Sequence, residues 1–342
     1  MIYRAKAPVR IDFGGGWTDV AVFCRERKGK VINAAINIYS YASLEDQSST
    51  GKDIPDREKI RVESADFDIF WEARNIKEVE YSKSKDLAQA AIKKYSSKGG
   101  FKMVTRSNAP PGSGLGTSAA MGVAIIGGIT AHNEKYMLPY EIAEAASMIE
   151  REELGILGGK QDHYASALGG INFMEFSGEE VKTSPLRISE DIVMELEKNL
   201  VLCYTGQSRL SGNIHREVVD AFQRNVGGTR NAIERMKVIA DEMKTALLSG
   251  DLYSFGKLMA ENWECQSALH PSTTTEQINQ LFKIAGEAGA IGGKACGAGG
   301  GGCLLFYCHP DKEHLVRKAL EGAKTRIIDF NFDWNGLQCW KT

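Results

Sequence analysis

Apolar residues along this chain follow two periods. Runs rich in β-branched and aromatic residues near 2–13, 31–46, 59–71 and 100–107 predict strands. Apolar positions three and four apart near 17–27, 84–97, 116–132 and 139–153 predict helices. A hairpin is expected over 171–176 and 181–186, turned by Ser177-Gly178-Glu179-Glu180, and a strand over 200–205. Amphipathic stretches near 211–225, 229–249, 251–269 and 275–288 predict a helical tract. The C-terminal part reads strand, glycine turn, strand, helix near 311–322, strand. There is no internal repeat, low-complexity tract or linker. A weakly marked boundary near 185–200 divides the chain into 1–190 and 191–342, two halves expected to pack together with a site in the crevice between them.

Composition narrows the class. A chain of 342 residues is long enough for two domains and a core that needs no disulfides. Lys and Arg number 42 against 44 Asp and Glu, so no basic excess points to nucleic acid. The seven cysteines are odd in number and scattered, with no C-x-x-C pair and no zinc-type spacing, and read as small buried hydrophobes in a reducing compartment. The N-terminus lacks the apolar segment of a signal peptide and no run is long enough to span a membrane, so a soluble, cytoplasmic protein is expected, with a homo-oligomer left open.

The chemistry begins at Pro110-Pro111-Gly112-Ser113-Gly114-Leu115-Gly116-Thr117-Ser118-Ala119-Ala120, a glycine-rich turn running into an apolar helix. Bare backbone N–H groups and the positive end of the helix dipole make such a turn an anion cradle. It is not a P-loop, because Thr117 and not Lys follows Gly116. Nor is it a dinucleotide fingerprint, since the glycines fall at 112, 114 and 116. The segment resembles the P-x-x-x-G-L-G-[ST]-S-A-A motif of the GHMP kinases, the superfamily of galactokinase, homoserine kinase and mevalonate kinase.

Two more segments carry the resemblance over nearly the whole chain. Ala7-Pro8-Val9-Arg10-Ile11-Asp12-Phe13-Gly14-Gly15-Gly16-Trp17-Thr18-Asp19 is similar to the superfamily's first motif, and Lys294-Ala295-Cys296-Gly297-Ala298-Gly299-Gly300-Gly301-Gly302-Cys303 to its third. The G-G-G-W-T-D form, with Gly158-Gly159-Lys160-Gln161-Asp162-His163-Tyr164, resembles the branch of bacterial D-glycero-D-manno-heptose 7-phosphate kinases. Galactokinases carry G-E-H-T-D instead. The resemblance implies an α+β fold of two-domain GHMP kinase architecture, with a ferredoxin-like C-terminal domain. It also implies ATP and Mg²⁺ as cofactors and a small sugar phosphate as acceptor. A kinase of fucose, mannose or another hexose is the alternative within the class, and a non-catalytic ATP-binding regulator the alternative outside it.

Roles follow by position. The nucleotide phosphates fall to Pro111, Gly112, Ser113, Gly114, Leu115, Gly116, Thr117 and Ser118. Asp162 matches the catalytic aspartate that orients the acceptor hydroxyl and takes its proton, although the same position suits a helix N-cap. Arg10 stands where the family places a cation beside that acid. Ser118 and Glu150 are the expected Mg²⁺ ligands; Thr117 is the hydroxyl neighbour, and Glu152 and Glu153 stay open as the carboxylate. The twelve-residue step from Glu150 to Asp162 meets the family's spacing if one residue is inserted in 154–158. Gly16, Thr18 and Asp19 match sugar-holding positions, and Lys160, Arg209 and Lys294 are the basic residues nearest to matching motifs for a distal phosphate. Trp17 and Trp71 flank substrate or adenine, or simply pack, and His163 reads as a neighbour of Asp162.

Overall fold

The computed structural model describes residues 1–47, 57–66, 69–82, 86–207 and 211–342, and within the last range the side chain of Ser211 is left aside. The chain opens with β1 (Ile2–Gly14), which alternates buried and half-buried residues at first and is buried throughout 7–14. That change marks the point where both faces of the strand become covered. Ala5 and Ala7 pack toward α3 (Thr117–His132), whereas Val9, Ile11 and Phe13 pack toward Met243 of α8 (Thr229–Ser249) and Phe255 of α9 (Leu252–Ser267). A strand enclosed on both faces loses its polar alternation.

After a glycine turn and the short α1 (Ala21–Arg27), β2 (Gly29–Asp46) runs back antiparallel to β1, with register shifts at Pro8/Val9 and Asp12/Gly14. β5 (Phe101–Ser107) pairs with β2, and β3 (Ile60–Ser64) and β4 (Ile69–Ala73) extend the sheet beyond it. β6 (Ile171–Ser177) pairs with β2 and with β7 (Glu180–Pro185), as the expected hairpin. α2 (Leu87–Tyr95), α3, α4 (Pro139–Met148) and α5 (Gln161–Leu168) supply residues to the core on the face of Ala5 and Ala7.

A second, antiparallel sheet has the order β11-β8-β10-β9, built from β8 (Leu200–Tyr204), β9 (Ala290–Ala295), β10 (Cys303–Cys308) and β11 (Arg326–Ile328). α6 (Glu190–Asn199), α7 (Ser211–Arg224), α8, α9, α10 (Glu276–Ala288) and α11 (Glu313–Gly322) accompany it. Among the described residues no helix is long and apolar enough to cross a membrane.

Four elements depart from the expected pattern. The strand at 59–71 is two, β3 and β4, paired antiparallel. The helix at 139–153 ends as α-helix at Met148 and continues as a π-helical turn over Ile149–Glu153, which holds one more residue per turn than an α-helix. α6 was not expected; only Leu196 and Asn199 are buried along its charged sequence. Finally, β12 (Gln338–Lys341) leaves the second half and pairs with β1, so the division at 190/191 separates it from the sheet to which it is hydrogen-bonded.

Candidate active site

Three glycine-rich turns meet at a cleft of about 280 Å³ between the two sheets. The first follows β1, the second leads into α3, and the third joins β9 to β10. The third packs directly on the second: Cys303 N–H donates to Ser113 O at 2.8 Å, and a Cβ at Gly302, whose φ is +78°, would stand 2.6 Å from that same oxygen. Only a residue without a side chain permits this approach.

Arg10 and Asp162 form the centre. Arg10 Nε and Nη2 donate to the two Asp162 carboxylate oxygens at 2.7 and 2.8 Å, and Nη1 donates to Gly114 O at 2.7 Å. One guanidinium thus fixes both the acid and the phosphate-loop backbone. Burial opposes the charge on Arg10, but Asp162 and Asp12 outweigh it and raise its pKa. For Asp162, burial pushes the carboxyl up and Glu150 adds to this; Arg10 and His163 pull it back, and the balance stays above the usual carboxylate range. Because α5 starts at Gln161 and Lys160 holds the cap position, Asp162 is not an N-cap.

Asp19 forms another part of the wall. Its Oδ2 accepts from Gln161 N–H at 3.1 Å, and a Cβ at Gly159 would fall 1.7 Å from it. Burial and the nearby Asp162 charge push its carboxyl up to about 6. Trp17, in a left-handed backbone conformation at φ 76°, packs against His215 of α7 with ring centres 4.7 Å apart and planes tilted by 41°. Burial drives His215 down to about 4.

At the start of α3, Ser118 Oγ donates to Glu150 Oε1 at 2.5 Å. Burial pushes the Glu150 carboxyl up, but His163, Ser118 and His215 together bring it below the usual range. A hydroxyl and an ionised carboxylate side by side are hard oxygen donors that suit a Mg²⁺ ion taking its remaining oxygens from water and phosphate.

Of the residues expected from sequence, Arg10, Gly16, Asp19, Gly112, Ser113, Gly114, Gly116, Thr117, Ser118, Glu150 and Asp162 all line this cleft. Five other described residues do not, and each has a physical reason. Thr18 is fully buried, its hydroxyl oxygen lying 2.7 and 2.8 Å from the carbonyl oxygens of Gly15 and Lys30 and accepting from Lys30 N–H at 2.9 Å, and so closing the first turn instead of facing sugar. Lys160 is buried behind α5, its Nζ 2.8 Å from Glu179 O, 3.0 Å from Glu179 Oε2 and 3.3 Å from Glu144 Oε1. Lys294 is an internal counter-ion, 2.7 Å from Asp12. Leu115 turns its side chain into the core and Pro111 lies at the exposed rim. Arg209 lies outside the described residues. Between the acidic alternatives, Glu153 is taken by Tyr81 and Lys94, each at 2.6 Å, and Glu152 is exposed away from the cleft. Sequence reasoning missed Arg151, Gln161 and His215 as cleft residues. Gln161 and Arg151 adjoin matched positions, but nothing local marks His215, which α7 delivers from the other half.

The family model for the GHMP kinases N terminal domain matches residues 83–170, and that for the GHMP kinases C terminal matches 243–324. The chain is 34% identical to a D-glycero-alpha-D-manno-heptose 7-phosphate kinase of Campylobacter jejuni, over 99% of this chain and 98% of that protein. It is 27% identical to a bifunctional fucokinase/GDP-fucose pyrophosphorylase of Arabidopsis thaliana, over 93% of this chain but 31% of that protein. The structure superposes on a D-glycero-D-manno-heptose 1-phosphate kinase from Bacteroides thetaiotaomicron with a TM-score of 0.77 and 29% identity, covering 99% of both chains.

Proposed function

The chain belongs to the GHMP kinases, and from that premise we infer that its cleft moves the γ-phosphoryl group of ATP to the anomeric hydroxyl of D-glycero-D-manno-heptose 7-phosphate. That it is an ATP-dependent phosphotransferase follows from the family and the heptose phosphate kinase relative. The observation that carries the phosphoryl-transfer reading is the paired hold of Arg10 on Asp162 and on the phosphate-loop carbonyl of Gly114, and the heptose phosphate acceptor is supported by the 34% identity to the Campylobacter jejuni kinase.

Phosphoryl transfer passes through a loose transition state, so the protein's work is alignment and charge neutralisation. The turn from Gly112 to Ser118 receives the nucleotide phosphates on backbone N–H groups at the start of α3. Asp162 orients the acceptor hydroxyl and takes its proton late in the transfer, when that oxygen has become acidic. Arg10 keeps the carboxylate aimed and lends positive charge to the transferring group. Asp19 and the backbone of Gly16 hold the sugar hydroxyls, and Arg151 offers a cationic wall to the distal phosphate. Ser118 and Glu150 would hold Mg²⁺, which neutralises phosphate charge when bound.

The test is ATP consumption with Mg²⁺ over a panel of D-glycero-D-manno-heptose 7-phosphate, sedoheptulose 7-phosphate, mannose, fucose and galactose, with products read by phosphorus NMR. A heptose bisphosphate signal is expected. Turnover with a free hexose alone would discard the heptose reading, and ATP binding without turnover on any sugar would mark a regulator.

A further inference from the structure

We propose that His163 is a positioning residue that aims the Glu150 carboxylate and couples it to the helix turn carrying Asp162. The inference rests on the reading of Glu150 and Ser118 as the divalent-cation ligands. His163 is buried, 1% exposed, with Nε2 2.7 Å from Glu150 Oε2, while the other oxygen of that carboxylate takes the Ser118 hydroxyl. Among the described residues neither ring nitrogen of His163 has an aligned hydrogen bond, and Glu150, with Oε2 2.7 Å from Nε2, is the charged partner at hand for an imidazole at this depth.

Glu150 needs such a partner. It stands in the π-helical turn after α4, outside any regular α-helix, and its side chain is 13% exposed. A carboxylate withdrawn from water must be hydrogen-bonded or paired, and one that ligates a metal depends on a neighbour to fix its direction. Consecutive residues of a helix do not face the same way. In the first turn of α5, Asp162 turns to Arg10 and His163 turns to Glu150. One helix turn thereby sets both the acceptor's acid and the cation's carboxylate.

The test uses Mn²⁺ as a paramagnetic probe, titrated into the whole protein saturated with a non-hydrolysable ATP analogue and followed by electron paramagnetic resonance. His163→Leu, which keeps bulk and removes the polar ring, is expected to weaken Mn²⁺ binding by about ten- to a hundredfold while metal-free affinity for the analogue is unchanged. His163→Gln, whose amide N–H can meet the same oxygen, is expected to stay within about threefold of the parent. Parent-like Mn²⁺ affinity in the Leu variant overturns the proposal, as does a Gln variant that loses as much as the Leu variant. Should the Leu variant not fold, nitrogen-15 histidine spectra of the unaltered protein decide: Mg²⁺ added to the analogue complex must move the His163 ring signals, and unmoved signals overturn the proposal. Glu150→Gln separates the two layers. If it keeps Mn²⁺ affinity, the cation reading of Glu150 falls and this inference with it; if it loses affinity while His163→Leu does not, this inference alone falls.

Discussion

Asp19 carries an uncomfortable charge, buried beside Asp162, and its carboxyl is pushed up from 3.8 to about 6. A folded-state value above the unfolded one means that the ionised form opposes folding; the penalty is full above about 6, fades as pH falls, and is gone below 3.8. A shift of that size corresponds to about 3 kcal/mol. Asp19→Asn is therefore expected to raise thermal stability at pH 7.5, read by calorimetry, while raising KM for the sugar. In the parent, kcat/KM for the sugar should fall as pH drops through about 6, and the Asn variant should lack that limb. Asp162→Asn should lower kcat by about 10²- to 10⁴-fold with nucleotide affinity intact, and near-normal turnover would refute its role. Arg10 and Asp162 were legible because fixed motifs carry them. Thr18 and Lys160 misled because a motif gives a position along the chain and not the direction of the side chain, and both side chains turn inward to satisfy buried partners.

The contact between the third glycine turn and the phosphate loop is made backbone to backbone, so its geometry has no side chain to absorb an error. Gly302→Ala forces a Cβ to 2.6 Å from Ser113 O at a positive φ, and the loop must move. The expected outcome is a fall of about tenfold or more in kcat/KM for ATP, read by steady-state kinetics, with a smaller effect on the sugar's KM. The long strands and the helical tract were legible because one covered face imposes a period. The break between β3 and β4 was missed although Glu63, Ser64 and Asp66 interrupt the apolar positions there, because apolar residues resume beyond it; α6 was hidden in a sequence dominated by charge, and the π-helical turn in a periodicity that differs from an α-helix by a single residue.

A buried ion pair and a terminal strand are among the links between the two halves. Asp12 on β1 and Lys294 on β9 form a buried pair at 2.7 Å, 2% and 0% exposed, that joins the two sheets. Removing one partner leaves an uncompensated charge, so Lys294→Met should destabilise by about 3–5 kcal/mol in denaturant titration, and the double variant with Asp12→Asn should recover part of the loss. The other link is β12, whose pairing with β1 no local pattern announces, because a strand's partner is not written in its own residues.

That second link has a consequence for biosynthesis. The strand that covers the outer edge of β1 at Tyr3, Arg4, Ala5 and Lys6 leaves a ribosome more than three hundred residues after β1 does. Until then a nascent chain that has already paired β1 with β2 presents one open row of amides and carbonyls, available to chaperones and to neighbouring chains on the same messenger alike. The interval before that edge closes is the period of greatest danger from co-aggregation, and slowing translation over the second half of the message should lower the soluble yield.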